Sequence, residues 1–122
     1  MTTYIGTINA DNPGTNNVDN ELYGLGGNDT LTSGFNGNTF IYGGNGNDAL
    51  NKLDASTGAG EIYGGDGNDT IDGASEGDEI YGGDNSDVIG GAAGDDDLDG
   101  GFLNDAVYGG AGADRIYGGD AN

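Results

Sequence analysis

The sequence predicts an all-β repeat fold, and three regular features of the chain indicate it. First, residues 64–72 read GGDGNDTID, and the same nine-residue frame returns at 43–51, 82–90 and 109–117. Second, many of the 29 glycines fall at fixed places in this frame, as expected of residues that need a positive φ angle. Third, each unit carries one large aliphatic residue at its eighth place. A period of this kind is typical of a solenoid of stacked units.

The repeats organise the chain into a single domain, residues 1–122. Residues 1–5 are a first strand, residues 6–63 an N-terminal half with inserts and one irregular side, and residues 64–122 a run of regular repeats. The aliphatic residues of the units are expected to form the core: Leu22, Leu31, Ile41, Leu50, Ile62, Ile71, Ile80, Ile89, Leu98, Val107 and Ile116. One such residue per unit makes a small core, so the chain needs further stabilisation to fold.

The consensus of the unit is G-G-x-G-x-D-x-U-x, with a large aliphatic residue at U. Over roughly residues 6–122 it resembles the nonapeptide repeats of the RTX (repeats-in-toxin) family. The resemblance implies a right-handed parallel β-roll solenoid with calcium-binding turns on both sides. The first six residues of each repeat are then a turn that binds Ca²⁺, and the last three are a short strand. Consecutive turns fall on opposite sides, so each turn stacks on the one two repeats away.

An unbroken series of aspartates at the sixth place marks the first side of this roll. The turns begin at Gly6, Gly24, Gly43, Gly64, Gly82, Gly100 and Gly118, and the aspartates are Asp11, Asp29, Asp48, Asp69, Asp87 and Asp105. Carboxylates are hard anionic ligands, and a tight glycine turn points its backbone carbonyls the same way, which suits Ca²⁺. The glycines predicted to contribute to the metal sites on both sides are Gly24, Gly26, Gly43, Gly64, Gly82, Gly91, Gly100, Gly109 and Gly118.

The second side is regular only in its C-terminal half, where Asp78, Asp96 and Asp114 keep the sixth place. Earlier on this side an extra residue follows Asp19, Asn38 replaces the aspartate, and 52–60 is a longer loop without an acid at the sixth place. We expect hydrogen bonds of Asn, Ser and Thr to hold these irregular turns. About seven Ca²⁺ ions are expected, about five on the first side and about two on the second.

The remaining acids are expected to face solvent, because they fall at outward strand positions or away from the sixth place of a turn. They are Glu21, Glu61, Glu76, Glu79, Asp66, Asp72, Asp84, Asp95, Asp97 and Asp99.

The charge and composition exclude several classes of function. With 22 acidic and 2 basic residues the formal charge is −20, which favours an expanded chain unless cations bind. We therefore expect a largely disordered calcium-free chain in which Ca²⁺ binding and folding are one equilibrium. The absence of Cys and His disfavours Zn²⁺, Cu²⁺ and Fe²⁺ sites and leaves no visible nucleophile arrangement, so no enzyme is expected. The charge also excludes nucleic-acid binding, and no apolar run approaches a membrane-spanning length.

A row of aromatic residues is expected on the outer face of one sheet. The ninth-place residues read Tyr23, Tyr42, Tyr63, Tyr81, Asp99 and Tyr117 on this sheet, and Thr32, Asn51, Asp72, Gly90 and Tyr108 on the other. Aromatic neighbours on adjacent strands stabilise a sheet, and an exposed row of rings is also a packing face for another roll. Both interpretations remain open at this point.

Two functions fit the sequence. The first is an extracellular structural protein that assembles with itself head to tail, because the turn at 118–122 could stack on the turn 6–11 of a neighbour and share calcium. Lateral contacts through the tyrosines would add to this assembly. The alternative is a calcium-dependent folding or secretion module of a larger RTX toxin, protease or adhesin. Weak calcium sites fill only near millimolar calcium, which favours a secreted or cell-surface location.

Overall fold

The computed structural model describes residues 2–5, 20–33, 37–52 and 58–120 of the 122-residue chain. These ranges contain the strands β1 (Thr2–Ile5), β2 (Asn20–Gly26), β3 (Thr30–Thr32), β4 (Thr39–Asn45), β5 (Ala49–Asn51), β6 (Gly60–Asp66), β7 (Thr70–Asp72), β8 (Glu79–Asp84), β9 (Val88–Ala93), β10 (Asp97–Phe102), β11 (Ala106–Ala111) and β12 (Arg115–Tyr117). Within the described ranges there is no helix of the length and hydrophobicity that a membrane span requires.

The described strands form two parallel sheets. One has seven strands in the order β1-β2-β4-β6-β8-β10-β12, and the other has five in the order β11-β9-β7-β5-β3. From β2 onward the chain alternates between the sheets, so that each strand pairs with the strand two places further along. This topology follows from the repeat, because a six-residue turn after each short strand reverses the chain into the facing sheet. The predicted all-β parallel β-roll with turns on both sides is confirmed.

The core is a double row of aliphatic side chains between the sheets. Nine of them are buried and in contact: Leu22, Leu31, Ile41, Leu50, Ile62, Ile71, Ile80, Ile89 and Leu98. Val107 is partly buried against them. The prediction was wrong for Ile116, which is 48% exposed because β12 lies at the edge of its sheet and no described strand covers it. The core is therefore one side chain wide in each sheet.

The turns take their shape from two places with left-handed backbone, the second and the fourth. In the turn before β7 these are Gly65, with a φ of 116°, and Gly67, with a φ of 127°. Glycine adopts such angles without a steric penalty. At the same places other turns carry residues with side chains, at φ angles from 68° to 86°: Leu25, Ala74, Glu76, Asn85, Ala92 and Leu103. A left-handed backbone is strained in a residue that has a Cβ, so contacts with the neighbouring turns must offset this strain.

The tyrosine row lies along the seven-stranded sheet as predicted. Tyr23, Tyr42, Tyr63 and Tyr81 are partners on adjacent strands, followed by Asp99 and Tyr117. The rings of Tyr63 and Tyr81 are stacked, with centroids 4.9 Å apart and 5° between their planes. Each of these two hydroxyls donates a hydrogen bond to a glutamate of its own strand, Tyr63 to Glu61 at 2.7 Å and Tyr81 to Glu79. These contacts lie within the molecule and support the sheet.

Candidate metal centre

The aspartates at the sixth place of the first side form a continuous ladder. The backbone N–H of Asp29 donates to Asp48 Oδ1 at 2.8 Å, and the N–H of Asp48 donates to Asp69 Oδ1 at 2.8 Å. The same bond joins Asp69 to Asp87 at 2.8 Å and Asp87 to Asp105 at 2.9 Å. Each carboxylate therefore fixes the preceding turn of its side with one of its two oxygens. The predicted site residue Asp11 lies outside the described residues.

Seven of the sixth-place aspartates, on both sides of the roll, have a second carboxylate oxygen that is buried and has no hydrogen-bond partner. Within the described ranges this holds for Oδ2 of Asp29, Asp48, Asp69, Asp78, Asp87, Asp96 and Asp105. A buried carboxylate oxygen without a donor carries a large desolvation cost, so native proteins pair such groups or bind a cation to them. The repeated orphan oxygens therefore indicate a row of cation sites.

A backbone carbonyl lies beside six of the seven orphan oxygens, all but that of Asp105, and the glycine at the first place leaves room for both. A Cβ built on Gly82 would lie 2.5 Å from Asp87 Oδ2 and 2.5 Å from the carbonyl oxygen of Gly100 in the next turn. The corresponding positions Gly24, Gly43 and Gly64 show the same pair of neighbours, an Oδ2 of their own turn and a carbonyl of the next. Oxygens of two stacked turns thus converge on one space.

Two of the predicted glycines differ from this pattern. Gly26 is exposed at the third place of its turn, and the nearest atom to a Cβ there would be the Asn45 carbonyl oxygen at 3.8 Å. At Gly118 a Cβ would meet no atom within 4 Å. The structure thus brings no carboxylate to either residue, although Gly100, one turn earlier, lies against Asp105.

The second side carries a shorter ladder of the same kind. The N–H of Gly60 donates to Asp78 Oδ1 at 2.6 Å, that of Asp78 to Asp96 Oδ1 at 2.8 Å, and that of Asp96 to Asp114 Oδ1 at 3.1 Å. A Cβ on Gly91 would collide with Asp96 Oδ2 and the Gly109 carbonyl, and one on Gly109 would collide with Asp114 Oδ2. The structure therefore assembles the three aspartates predicted here into one ladder.

The repeats match a known family model. The model of the RTX calcium-binding nonapeptide repeat matches residues 16–39, 33–51, 51–78, 63–98, 72–107 and 99–122, which together cover most of the chain. The chain belongs to the RTX calcium-binding nonapeptide repeat family. Comparison with curated proteins gave no match, and neither did comparison with solved structures. RTX repeats of this kind bind calcium and occur in secreted proteins.

The donor set of the RTX turns fits calcium. Ca²⁺ takes about six to eight oxygen ligands in flexible geometry, and these turns offer carboxylate and backbone carbonyl oxygens. In the ranges that the structure describes, no three acidic side chains form one cluster. The ladder explains this, because it places one sixth-place carboxylate on each turn. Backbone carbonyls would then supply many of the ligands, and the residues that could supply the anionic ligands on the first side are Asp29, Asp48, Asp69, Asp87 and Asp105.

One assignment on the second side was wrong. Strand pairing places Thr39 beside Gly60, so Thr39, not Asn38, occupies the place that Asp78 has further along. The turn from Ser33 contains one residue more than the regular turns, and counting along the sequence could not locate that extra residue. Thr39 is 3% exposed and its Oγ1 has no partner. A buried hydroxyl group thus stands at the place where the regular turns of this side have the aspartate.

The sequence interpretation missed an ion pair in the longer turn of the second side. The Lys52 ammonium lies 2.6 Å from Asp78 Oδ1 and also donates to the carbonyl oxygen of Ser75. Neither charged side chain is exposed to solvent. Hydrogen bonds of Asn, Ser and Thr were expected in this turn. Its Ser56 and Thr57 lie outside the described residues, and the bridging contacts described there are those of the lysine. The available signal was the pairing of a lysine at the first place with a glycine, Gly60, at the sixth.

A second ladder on the first side was also missed. Asn28 Oδ1 accepts the N–H of Asn47 at 2.9 Å, and Asn47 Oδ1 accepts the N–H of Asn68 at 2.9 Å. Asn68 Oδ1 continues the series to the N–H of Ser86 at 3.1 Å. These residues hold the fifth place, next to the aspartate, and they are exposed. Their recurrence at that place was the signal in the sequence.

Burial changes the acidity of the aspartates in both ladders. Desolvation raises the pKa of Asp69 and of Asp87 to about 6, although backbone N–H donors oppose the shift. Desolvation also raises the pKa of Asp78 to about 6, against the lowering effect of Lys52. The pKa values of Asp48 and Asp96 are raised for the same principal reason. Without a bound cation the fold therefore disfavours the charged form of its own ladder residues.

The acids predicted to face solvent do lie at the surface. Glu61, Glu76, Glu79, Asp66, Asp72, Asp84 and Asp95 are exposed, and Glu21, Asp97 and Asp99 are partly exposed. Asp97 makes an exposed ion pair with Arg115 at 2.9 Å. The fold thus separates two classes of acid, and only the sixth-place class is turned inward.

Proposed function

We propose that the chain is an extracellular structural module that folds when it binds calcium. The main support for the proposal is the set of seven buried aspartate Oδ2 atoms without partners in the described residues, five on the first side and two on the second. Each lies where a cation bound between stacked turns would neutralise it, and no other donor is available to it. Ca²⁺ would serve there as a bridging counter-ion, and the chain's own aspartates and turn carbonyls would orient and hold it.

The location follows from how such sites fill. Each site offers few carboxylates and many neutral carbonyls, and sites with low ligand charge bind Ca²⁺ weakly. Weak sites fill only where calcium is near millimolar, which is an extracellular condition. The chain as a whole carries a formal charge of −20 and so resists collapse when calcium is scarce. We expect about seven ions per chain. The described ladders contain six intervals, four on the first side and two on the second, and the seventh interval would involve Asp11, which lies outside the described residues.

A pair of variants within one turn tests this function. Asp69 is 1% exposed in the ladder, whereas Asp66, three residues earlier in the same turn, is exposed. Asn in place of either aspartate removes one negative charge at nearly constant size. Because Asp69 faces the proposed ions, we expect Asp69→Asn to weaken calcium binding at the adjoining sites by about 10-fold or more.

The measurement is a calcium titration followed by circular dichroism, with bound ions counted by native mass spectrometry. Asp69→Asn should need more calcium to fold and should bind at least one ion fewer. Asp66→Asn should behave as the unchanged chain. Equal responses of the two variants would show that the ladder carboxylates do not bind the ions.

A second candidate function is self-assembly along the axis of the roll. Ile116 is 48% exposed and Tyr117 53% exposed on β12, the edge strand of the larger sheet. Another turn stacked there would cover both residues. That turn would come from a second copy in a head-to-tail filament, or from further repeats of a longer RTX toxin, protease or adhesin. The first source makes the chain a fibre or surface-layer protein, and the second makes it a folding or secretion module.

Electron microscopy and size-exclusion chromatography distinguish these sources. Filaments that form only when calcium is added to this chain would support assembly between copies. Ile116→Asp places a charge on the stacking face and should then keep the chain monomeric, whereas Val88→Asp, at an exposed strand position away from that edge, should not. A monomer under all calcium concentrations would leave the module as the function.

Lateral contact through the tyrosines is the remaining proposed self-interaction. Tyr42 and Tyr117 are exposed, whereas Tyr23, Tyr63 and Tyr81 are partly covered. The stacking of Tyr63 on Tyr81 favours a role within the sheet, and Tyr42 is the exposed ring through which a second roll would pack. Tyr42→Ser should thin any filament bundles without changing the filaments themselves. Unchanged bundles would exclude this contact.

A further inference from the structure

We propose that the Lys52 ammonium takes the place of a calcium ion between two turns of the second side. This inference rests on the proposed calcium function, because it assigns one turn interval that needs no metal. The two turns are the long one that begins at Lys52 and ends at Gly60, and the regular one from Gly73 to Asp78. All other intervals of this ladder, towards Asp96 and Asp114, keep an aspartate on both turns.

The position of Lys52 in the repeat is the first observation. Its backbone N–H donates to the Asp72 carbonyl at 2.9 Å, as the N–H of Gly73 donates to the Gly90 carbonyl at 2.8 Å. Lys52 and Gly73 therefore hold the same place, the first of the turn. In the regular turns glycine stands there because a side chain would displace an aspartate oxygen and a carbonyl of the next turn. The lysine side chain occupies the space that glycine otherwise leaves open.

The contacts of the ammonium are the second observation. It belongs to one turn, yet its two oxygen partners, Ser75 O and Asp78 Oδ1, belong to the next turn of the same side. The ammonium therefore bridges stacked turns through a backbone carbonyl and a carboxylate, the donor types that the ion sites offer. Asp78 Oδ2 stays without a partner and lies near Gly73, facing the following interval. The two oxygens of Asp78 thus serve separate intervals.

The charge at the first and sixth places of this turn is the third observation. A regular turn of this side has glycine at the first place and aspartate at the sixth, whereas this one has Lys52 and Gly60. The exchange adds one positive charge and removes one negative charge. At these two places the total change equals the charge of one Ca²⁺ ion; the other charged residue of the turn, Asp54, lies outside the described residues. Both departures fall in one turn, and the lysine side chain is completely buried, which a lysine does only when it is paired.

The consequence is a contact between turns that does not depend on calcium. The interval from 52–60 to 73–78 joins the irregular half of the roll to the regular half, and it keeps its cation covalently attached. In the folded chain this interval is stabilised without an ion, whereas its neighbours towards Asp96 and Asp114 are stabilised only when calcium is bound. It gives the chain a fixed point from which the calcium-dependent turns can stack in register.

The first test uses the two basic residues as a matched pair. Lys52→Met keeps the apolar stem and removes the buried charge, whereas Arg115→Met removes a charge from an ion pair that is largely exposed. Without the Lys52 ammonium the buried Asp78 carboxylate has no cation beside it, which lowers the stability of the folded chain. Because several calcium ions bind as the chain folds, this loss of stability is spread over several binding steps. We therefore expect the calcium midpoint of folding to rise about threefold for Lys52→Met. Arg115→Met should leave it unchanged. Equal midpoints for the two variants would overturn the proposal.

The second test needs no variant and remains informative if Lys52→Met cannot fold. Lys52 is the only lysine of the chain, so an amine-reactive ester reports on it alone, with the N-terminal amine as an internal reference. In calcium, Lys52 should stay unlabelled over a time in which the urea-unfolded chain is fully labelled. Labelling in the calcium-bound protein would show that an ion displaces the ammonium and would overturn the proposal. Failure of calcium to fold the unchanged chain would instead contradict the proposed function.

Discussion

A single aspartate at the sixth place performs two separate tasks with its two oxygens. Asp69 Oδ1 accepts the N–H of Asp48 at 2.8 Å, and Oδ2 is buried without a donor. The first bond aligns neighbouring turns in the folded chain and uses no metal ion. The second oxygen is available for a cation. An asparagine could still accept the N–H of the neighbouring turn, but it has no negative charge with which to bind a cation. The Asp69→Asn variant therefore separates the alignment of the turns from cation binding.

The glycine at the first place is as specific as the aspartate, and this leads to a prediction. Gly82→Ala would push against Asp87 Oδ2 and the Gly100 carbonyl, so we expect it to raise the calcium midpoint and to cost about 1–3 kcal/mol in the calcium-bound state. Gly90→Ala is the control, because a Cβ there meets only the Ile71 carbonyl, at 3.8 Å. Calcium titrations of both variants check the prediction, and a tolerated Gly82→Ala would contradict it.

Each aspartate ladder contains more negative charge than the side chains around it neutralise. The pKa values of Asp69, Asp78 and Asp87 are raised to about 6 mainly by desolvation. A raised pKa in the folded state means that the protonated form is favoured there over the unfolded chain, whose aspartates titrate near pH 4. The ladders are therefore more stable without metal when they are protonated.

This sign gives opposite pH dependences with and without calcium. In metal-free protein the contribution of these aspartates is fully present below about pH 4 and is lost as the pH rises through about 6. We expect more β-structure at pH 5 than at pH 7.5 after exhaustive dialysis against metal-free buffer. In calcium, protons compete with the ion, so the midpoint of folding should rise below about pH 6. Circular dichroism at both pH values checks this, and a parallel response in the two conditions would contradict it.

The ladders also show how far the sequence leads. A fixed period placed Asp29 to Asp105 and Asp78 to Asp114 correctly, because stacking in register follows from counting. Counting failed at Thr39, where an extra residue in the turn moves the register by one. It could not find the Lys52 pair either, since Asp78 lies 26 residues away and only the folded turns bring the two together. Ile116 shows a third limit, because burial depends on which strand covers it.

For the molecule as a whole, the core is one aliphatic residue wide in each sheet and the net charge is −20. Hydrophobic burial in such a thin core is small against the entropy of ordering the chain. We propose that the remaining stabilisation comes from cations, one of them the Lys52 ammonium and the others calcium ions. Folding and calcium binding should therefore be a single cooperative transition, with the midpoint set by the free calcium concentration.

The coupling of folding to calcium binding can be tested by a calcium titration of the unchanged chain, from metal-free buffer to millimolar calcium. Far-ultraviolet circular dichroism would report the fold, and native mass spectrometry would count the bound ions in the same samples. We expect a largely disordered chain without calcium and one cooperative transition to a β-roll that binds about seven ions. A chain that keeps its full β-structure in metal-free buffer at pH 7.5, with no ions bound, would contradict it.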